Sequence, residues 1–254
     1  MAYTAYTLHQ RPALRPSFRR FHSFAWPDFL QDEQLNAAFS VIYEKFPAFQ
    51  FGLCDRAGRV VAVGNSVPFV WDGTRRDLPD RIVDVVANAI RAHERGRRPT
   101  ALSALAAIVD HRFRGRDLSR RVIVVMGRIA AAHGLTALVA PVRPMLKGRY
   151  PLTPMASYVA WQRPDGSPFD PWLRVHWRLG ARVVRIARRA MNVTATVAEW
   201  EERTGLRFPA SGRYVVPGGF NPITIDRKQN EGRYVEPNVW MRHPVRRTVP
   251  SARR

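Results

Sequence analysis

One segment in the middle of the chain joins an apolar strand pattern, a basic turn and the start of an amphipathic helix. Residues 102–121 read LSALAAIVDHRFRGRDLSRR, with Gly115 inside the turn. A strand followed by a turn and a helix is typical of a sheet on which helices pack. The first turn of such a helix leaves backbone N–H groups without intrahelical partners, and these groups attract anions. The segment therefore predicts a sheet with packed helices and an anion site at this turn.

A second informative segment lies about sixty residues further along. Residues 173–189 read LRVHWRLGARVVRIARR, and Gly180 separates a helix-like pattern from the β-branched run Val183, Val184 and Ile186. Glycine often ends a helix, because it adopts the left-handed conformation without steric cost. The segment predicts a short helix that ends at Gly180 and a strand that follows it.

Hydrophobic periodicity predicts further elements on both sides of these segments. We predict helices over residues 32–45, 80–94, 118–133 and 172–179. We predict strands over residues 50–54, 59–70, 102–109, 136–141, 182–187 and 192–196. Strands that alternate with helices in this way predict an α/β (α+β) fold with helices packed on a sheet.

The composition excludes several classes of protein. A chain of 254 residues is long enough to bury a sizeable core, and its one cysteine, Cys54, excludes a disulfide framework or a cysteine-based zinc site. A single cysteine also fits a reducing compartment. The start of the chain lacks a signal-peptide pattern, and no apolar run approaches the roughly 20 residues of a membrane span. We therefore expect a cytoplasmic protein without a metal or a membrane partner.

The net charge of +21 has two explanations. A strongly basic chain is typical of nucleic-acid binding. However, only three of the 41 basic residues are lysines, and the arginines are scattered, which favours a compositional bias of a GC-rich genome. We therefore do not predict a nucleic-acid partner from charge alone. A local cluster around Gly115 stands apart from this bias and consists of Arg112, Arg114, Arg116, Arg120 and Arg121.

Together, and in this order, the two segments resemble the GNAT superfamily of acyl-CoA-dependent N-acyltransferases. The family turn has the pattern Arg/Gln-x-x-Gly-x-Gly/Ala, and its backbone amides hold the pyrophosphate of coenzyme A at a helix N-terminus. The matching run is RGRDLS, in which Arg114 takes the first position and Ser119 the last. Asp117 stands where the family usually has glycine, and we expect its carboxylate to cap the helix. An ordinary capped helix start is the alternative for the whole turn.

The second family motif is Tyr-x-x-Leu-Gly-Phe, which here reads HWRLGA. His176 replaces the tyrosine that often protonates the leaving thiolate, so the resemblance implies an acid role for this histidine. Asp110 and His111 follow the strand that ends at Val109, and they are candidates for the base that deprotonates the amine. Structural roles are the alternative for all three: a core histidine, and a loop pair that orders the basic turn.

The resemblance also implies the residues that contact acyl-CoA. They are Ala106, Ala107, Ile108, Val109, Arg114, Gly115, Arg116, Asp117, Leu118, Ser119 and Arg120. It further implies a mixed, largely antiparallel central sheet with flanking helices. We expect a flexible arm over residues 1–19, the acyltransferase domain over 20–198 and a Pro/Gly/Arg-rich extension over 199–254.

The function that follows from the resemblance is transfer of an acetyl or related acyl group from acyl-CoA to an amine. The acceptor is a small molecule or a protein, and a homodimer is compatible with the extension packing on a second copy. The alternative function is a catalytically inactive protein of the same fold that binds nucleic acid or an acidic partner through its basic surface. The glycine position taken by Asp117 and the missing tyrosine favour this alternative.

Overall fold

One sheet runs through the whole molecule in the computed structural model, which describes residues 2–30 and 33–245. The strands are β1 (Thr4–Thr7), β2 (Gln50–Cys54), β3 (Val60–Phe69), β4 (Ala101–Val109), β5 (Ala137–Val142), β6 (Arg182–Ala195), β7 (Gly212–Tyr214), β8 (Ile223–Asp226) and β9 (Glu231–Pro244). The helices are α1 (Arg15–His22), α2 (Glu33–Lys45), α3 (Ile82–Glu94), α4 (Leu118–Ala132), α5 (Met155–Val159), α6 (Pro171–Arg178) and α7 (Val197–Thr204). The predicted α/β (α+β) class is confirmed.

The sheet is mixed and largely antiparallel, as predicted. Its order is β1-β2-β3-β4-β5-β9, and β9 pairs with β6 along its other edge. The hairpin of β7 and β8 extends the sheet beside the start of β9. Among the described strands, β4 and β5 form the parallel pair, and every other pairing is antiparallel.

The parallel pair separates after three residues. Residues 101–103 of β4 pair with residues 137–139 of β5. Beyond this point β4 continues along β3 as far as Val109, while β5 continues along β9 as far as Val142. The register between β3 and β4 shifts next to Ala104 and Ala106, so Leu105 forms a bulge where the separation starts. A bulge bends its strand and strengthens the local twist, which turns β4 away from β5.

Both faces of the sheet are covered at β3, since every residue of this strand is buried. Two of the first three helices, α1 and α3, pack on β3; α2 packs on α3, and α1 also contacts β4. Helix α4 is the longest of the helices that contact β4, and it also packs on β3, β5 and α6. Gly180 follows α6 with a φ of 85°, so the predicted helix end is confirmed. No helix among the described residues has the length and apolarity needed to cross a membrane.

Three parts of the described structure differ from the sequence-based expectation: the start of the chain, the strands after Gly180, and the boundary after residue 198. Instead of a loose arm, the start of the chain forms β1, which pairs with β2, and then α1. The strands predicted over 182–187 and 192–196 are one strand, β6, with irregular register at two points. The expected boundary after residue 198 separates β6 from its partner β9. Residues 1, 32 and 246–254, which belong to the predicted arm, helix and extension, lie outside the described residues.

Candidate functional site

The separation of β4 and β5 opens a cleft of about 920 Å³. This volume is in the range of small-molecule sites in proteins. The cleft is bounded by the second half of β4, the end of β5, the start of α4, α6 and the loop after α1. The predicted acyl-CoA contacts that line it are Ala106, Ala107, Ile108, Val109, Arg114, Gly115, Asp117, Leu118 and Ser119.

The free edge of β4 is one wall of this cleft. After Ser103, no described strand pairs with β4 on the side of β5. Backbone N–H and C=O groups need hydrogen-bond partners, so this edge suits an extended ligand that carries amides of its own. The small side chains of Ala104, Ala106 and Ala107 leave room for such a ligand along the strand.

The turn before α4 is built on left-handed backbone. Gly115 has a φ of 76° and Asp117 has a φ of 58°. The expected capping role of Asp117 is wrong, because its side chain makes no capping hydrogen bond. An N-cap residue needs an extended backbone to aim its side chain at the helix, and a left-handed residue does not supply this. The Asp117 carboxylate instead pairs with Nε of Arg120 at 2.6 Å, and the first turn of α4 keeps its N–H groups for another acceptor.

The arginines of the turn differ in their placement. Arg114 lines the cleft, whereas Arg116 and Arg120 do not. The guanidinium of Arg116 lies 5.1 Å from the centre of the Phe113 ring, and that ring lines the cleft. Arg120 is engaged with Asp117. The turn therefore offers one arginine directly to the cleft and two more beside it.

His176 lies in the wall of the cleft but is almost fully buried, with 1% of its surface exposed. Its Nδ1 is 2.8 Å from Nε2 of His243, and its own Nε2 is buried without a hydrogen-bond partner. Burial, with a smaller contribution from His243, lowers the pKa of His176 to about 3. The ring is therefore neutral at pH 7, and the imidazolium that would be the natural acid is not populated.

Asp110 and His111 are placed away from this histidine, and neither of them lines the cleft. The buried Asp110 carboxylate accepts hydrogen bonds from the backbone N–H of Arg112 at 3.0 Å and from its guanidinium at 2.7 Å. This guanidinium holds the pKa of Asp110 well below its usual range. His111 is exposed. Its Nδ1 lies 3.7 Å from Oδ1 of Asp110, so Asp110 contacts both His111 and Arg112.

Several residues of the cleft were not among the predicted site residues. They include Phe24, Ala25, Trp26, Pro27, Ile82, Met145, Trp172, Arg143 and Asn238. The aromatic cluster before residue 30 was a visible signal, but aromatic residues serve a core equally well. Arg143 and Asn238 carry no local signal, because their meeting depends on the pairing of β5 with β9. Within residues 2–30 and 33–245, no cluster of His, Cys, Asp and Glu is suited to a metal ion.

Comparisons with known proteins agree with this geometry. No family model matches the chain. The chain is 35% identical over 207 residues to the arginine N-acetyltransferase avaD of Aspergillus versicolor, which covers 73% of this chain and 71% of that protein.

Two solved structures share the fold. The loading GNATL domain of CurA from Lyngbya majuscula has a TM-score of 0.65 at 16% identity, over 96% of this chain and 98% of that one. The GNAT-like decarboxylase GphF in complex with isobutyryl-CoA has a TM-score of 0.60 at 16% identity, over 97% and 100%. At this identity they support the fold alone.

Proposed function

The chain belongs to the GNAT superfamily of acyl-CoA-dependent N-acyltransferases, and on this premise we propose how its cleft is used. It transfers an acyl group from acyl-CoA to an amine. The catalytically inactive binding protein considered above is not favoured. The observation that carries the proposal is one cleft in which the free edge of β4 leads to the uncapped start of α4.

In this proposal the acyl-CoA lies along β4 and ends at the turn. The pyrophosphate accepts hydrogen bonds from the backbone N–H groups of the turn over residues 114–119, where the helix dipole also favours negative charge. Arg114 adds a cation from the wall of the cleft. The pantetheine amides pair with the β4 backbone over residues 106–109. The thioester then lies near the point where β4 and β5 separate.

The reaction needs an unprotonated amine and a proton for the leaving thiolate. The amine nitrogen attacks the thioester carbonyl, the C–N bond forms, the C–S bond breaks, and the proton that the nitrogen loses ends on the thiolate. We propose that His176 acts here in its neutral form, as a hydrogen-bonding group beside the thiol, since its pKa of about 3 disfavours an imidazolium. Asp110 and His111 remain candidate bases, and we place them second, because neither lines the cleft, Asp110 is bound to Arg112, and His111 lies beside Asp110.

The acceptor that we propose is a small-molecule amine, with arginine as the first compound to test. The similar fungal protein is an arginine N-acetyltransferase. The cleft also suits a guanidinium, because three aromatic residues, Phe24, Trp26 and Trp172, are among those that line it. A guanidinium stacks favourably on aromatic faces.

Two assays test this function. Titration calorimetry with acetyl-CoA and longer acyl-CoAs is expected to show binding at micromolar to submillimolar concentration, roughly −5 to −8 kcal/mol. Release of free thiol from acetyl-CoA in the presence of arginine, lysine and aryl amines then identifies the acceptor. Absence of acyl-CoA binding at millimolar concentration would overturn the proposed function.

We propose three further properties of the whole protein. The acyltransferase domain extends beyond residue 198 to Pro244 at least, because β9 completes its sheet. A cytoplasmic location is supported by the single buried cysteine, Cys54. A homodimer is supported by the outer strand β6, whose Val183 is exposed; light scattering at several concentrations tests it.

A further inference from the structure

Arg143, just after β5, presents a fixed guanidinium to the cleft. Its Nε and Nη2 donate to the two carboxylate oxygens of Glu236 at 2.8 and 2.9 Å, and Glu236 is fully buried. The guanidinium carbon also lies 4.1 Å from the centre of the Phe220 ring. Its Nη1 has no hydrogen-bond partner among the described residues, while the residue lines the cleft. A donor that is held in place and still unused is suited to an anionic ligand group.

The charges around Arg143 do not cancel. Lys147 is also fully buried, donates to the carbonyl oxygens of Tyr150 and Phe220, and interacts electrostatically with Glu236. One carboxylate thus faces two cations, which leaves the cluster with a net positive charge. A positive cluster in a partly desolvated wall favours a carboxylate over a neutral group.

Asn238 lies on β9 near the point where β5 ends. Val142 and Val239 form the last pair of the ladder, Arg143 and Asn238 follow them on their two segments, and both residues line the cleft. Asn238 is 2% exposed, and its Nδ2 donates to the carbonyl oxygen of Pro141 at 3.2 Å. A carbonyl oxygen can only accept, so the amide nitrogen must face it. The Oδ1 of Asn238 is consequently a buried acceptor without a donor, in a residue of the cleft wall.

We propose that Arg143 and Asn238 bind the α-amino-carboxylate group of an amino-acid acceptor. Both residues directly follow the last pair of the ladder, where cross-strand neighbours are roughly 5 Å apart at Cβ, which suits two groups attached to one carbon atom. In this arrangement Nη1 of Arg143 donates to the carboxylate, and Oδ1 of Asn238 accepts from the α-amine. The inference rests on the proposed function, and it specifies both the substrate class and the nitrogen that is acylated.

The reaction balances without a further reactant. The α-nitrogen forms a bond to the acyl carbon, the thioester C–S bond breaks, and the proton that the amine loses ends on the thiolate. A substrate held in this way presents its α-nitrogen, and its side chain extends toward the aromatic residues of the cleft. The product is an N-α-acyl amino acid.

A substrate panel with the wild-type protein tests the inference. Arginine, argininamide and agmatine share the guanidinium and one primary amine, but only arginine has a carboxylate. With acetyl-CoA as the acyl donor, we expect kcat/KM for arginine to be about 10- to 100-fold higher than for argininamide or agmatine. This difference is the one expected when a charge-assisted hydrogen bond is lost. Mass spectrometry and NMR are expected to place the acetyl group on the α-nitrogen. Equal rates for the three compounds, or acetylation of a guanidinium nitrogen, would overturn the inference.

A double variant that leaves the net charge unchanged tests whether the preference for a carboxylate depends on Arg143. Arg143→Gln with Glu236→Gln removes both charges together, so that no buried carboxylate is left without its arginine. This variant is expected to lose the preference for arginine and to keep its affinity for acetyl-CoA. Arg207→Gln is the control, because Arg207 is exposed and pairs with Glu201. Wild-type protein that fails to bind acetyl-CoA would refute the proposed function, whereas a folded double variant that keeps the preference would refute the subsite alone.

Discussion

Asp117 combines two unfavourable features at one residue. Its backbone is left-handed, and such a conformation costs an L-residue roughly 1–2 kcal/mol that glycine does not incur. The residue also lines the cleft, so its acidic side chain lies near the proposed pyrophosphate position. The backbone thus has the geometry that glycine would supply at this family position, although the side chain is acidic.

Asp117→Gly is expected to tighten acetyl-CoA binding several-fold, because it removes a like charge that costs about 1 kcal/mol at a partly solvated site. Stability is expected to hold or to rise slightly, since the exposed pair with Arg120 contributes little. Titration calorimetry at low salt and thermal denaturation measure the two effects. Asn230→Gly is the control, because Asn230 also has a positive φ but does not line the cleft. An unchanged affinity of Asp117→Gly for acetyl-CoA would show that the pyrophosphate does not bind at this turn.

Arg114→Ala is expected to weaken acetyl-CoA binding by about threefold to tenfold, as for one partly exposed charge-assisted contact. The loss should shrink as salt concentration rises, because the contact is exposed to screening. Arg116→Ala is expected to have a smaller effect, since Arg116 does not line the cleft. Binding curves at two salt concentrations check both variants. An Arg114→Ala variant with wild-type affinity at low salt would contradict the proposed phosphate contact.

At the scale of an element, two glycines in α4 and the turn before it have different backbone conformations. Gly115 precedes the helix with a φ of 76°, whereas Gly127 lies inside the helix with ordinary backbone. A Cβ atom at either position would have no heavy atom within 4 Å other than those of the neighbouring residues in the chain and of the helix's own backbone. Substitution at these positions therefore reports on backbone conformation and not on packing.

Gly115→Ala is expected to lower the free energy of unfolding by about 1 kcal/mol or more, because alanine resists the left-handed conformation. Gly127→Ala is its matched partner and is expected to raise stability by about 0.5–1 kcal/mol, because alanine favours the helix interior. Urea denaturation of both variants measures the difference. Only Gly115→Ala should also weaken acyl-CoA binding, and equal effects of the two variants on binding would argue against a role for the turn.

At the scale of the whole molecule, buried histidines make stability depend on pH. Burial lowers the pKa of His176 to about 3 and that of His243 to about 4. Burial also lowers the pKa of His22. In the unfolded chain these residues take up protons near their ordinary pKa of about 6.5. The native state therefore binds fewer protons below this pH, and its stability falls as the pH decreases.

The free energy of unfolding is expected to be highest above about pH 6.5 and to fall between about pH 6.5 and pH 4. At pH 5.5, His176 and His243 together are expected to remove about 3 kcal/mol, at roughly 1.4 kcal/mol for each group and pH unit. Urea titrations from pH 7.5 to 5 measure the slope. His243→Gln is expected to flatten it, because this variant removes one of the two buried imidazoles. A flat profile in the wild-type protein would contradict the buried, neutral state of the pair.

The sequence by itself determined the elements whose signals are local. Apolar periodicity and glycine positions predicted α4, α6 and β4, with the left-handed glycine after α6. The basic turn that lines the cleft was also predicted, whereas the mixed, largely antiparallel sheet was implied by the family resemblance. The elements and the turn depend on interactions within a few residues, where spacing and backbone preference decide the outcome.

The tertiary structure decided how distant segments complete the cleft. Pairing of β9 between β5 and β6 brings Asn238 near the end of β5, where Arg143 follows, and His243 beside His176. The members of these two pairs are 95 and 67 residues apart in the sequence. The neutral state of His176 follows from this burial and not from its helix. The conformation of Asp117 likewise overrode the capping preference of aspartate. Strand register and burial are set by long-range packing, so local sequence patterns do not predict them.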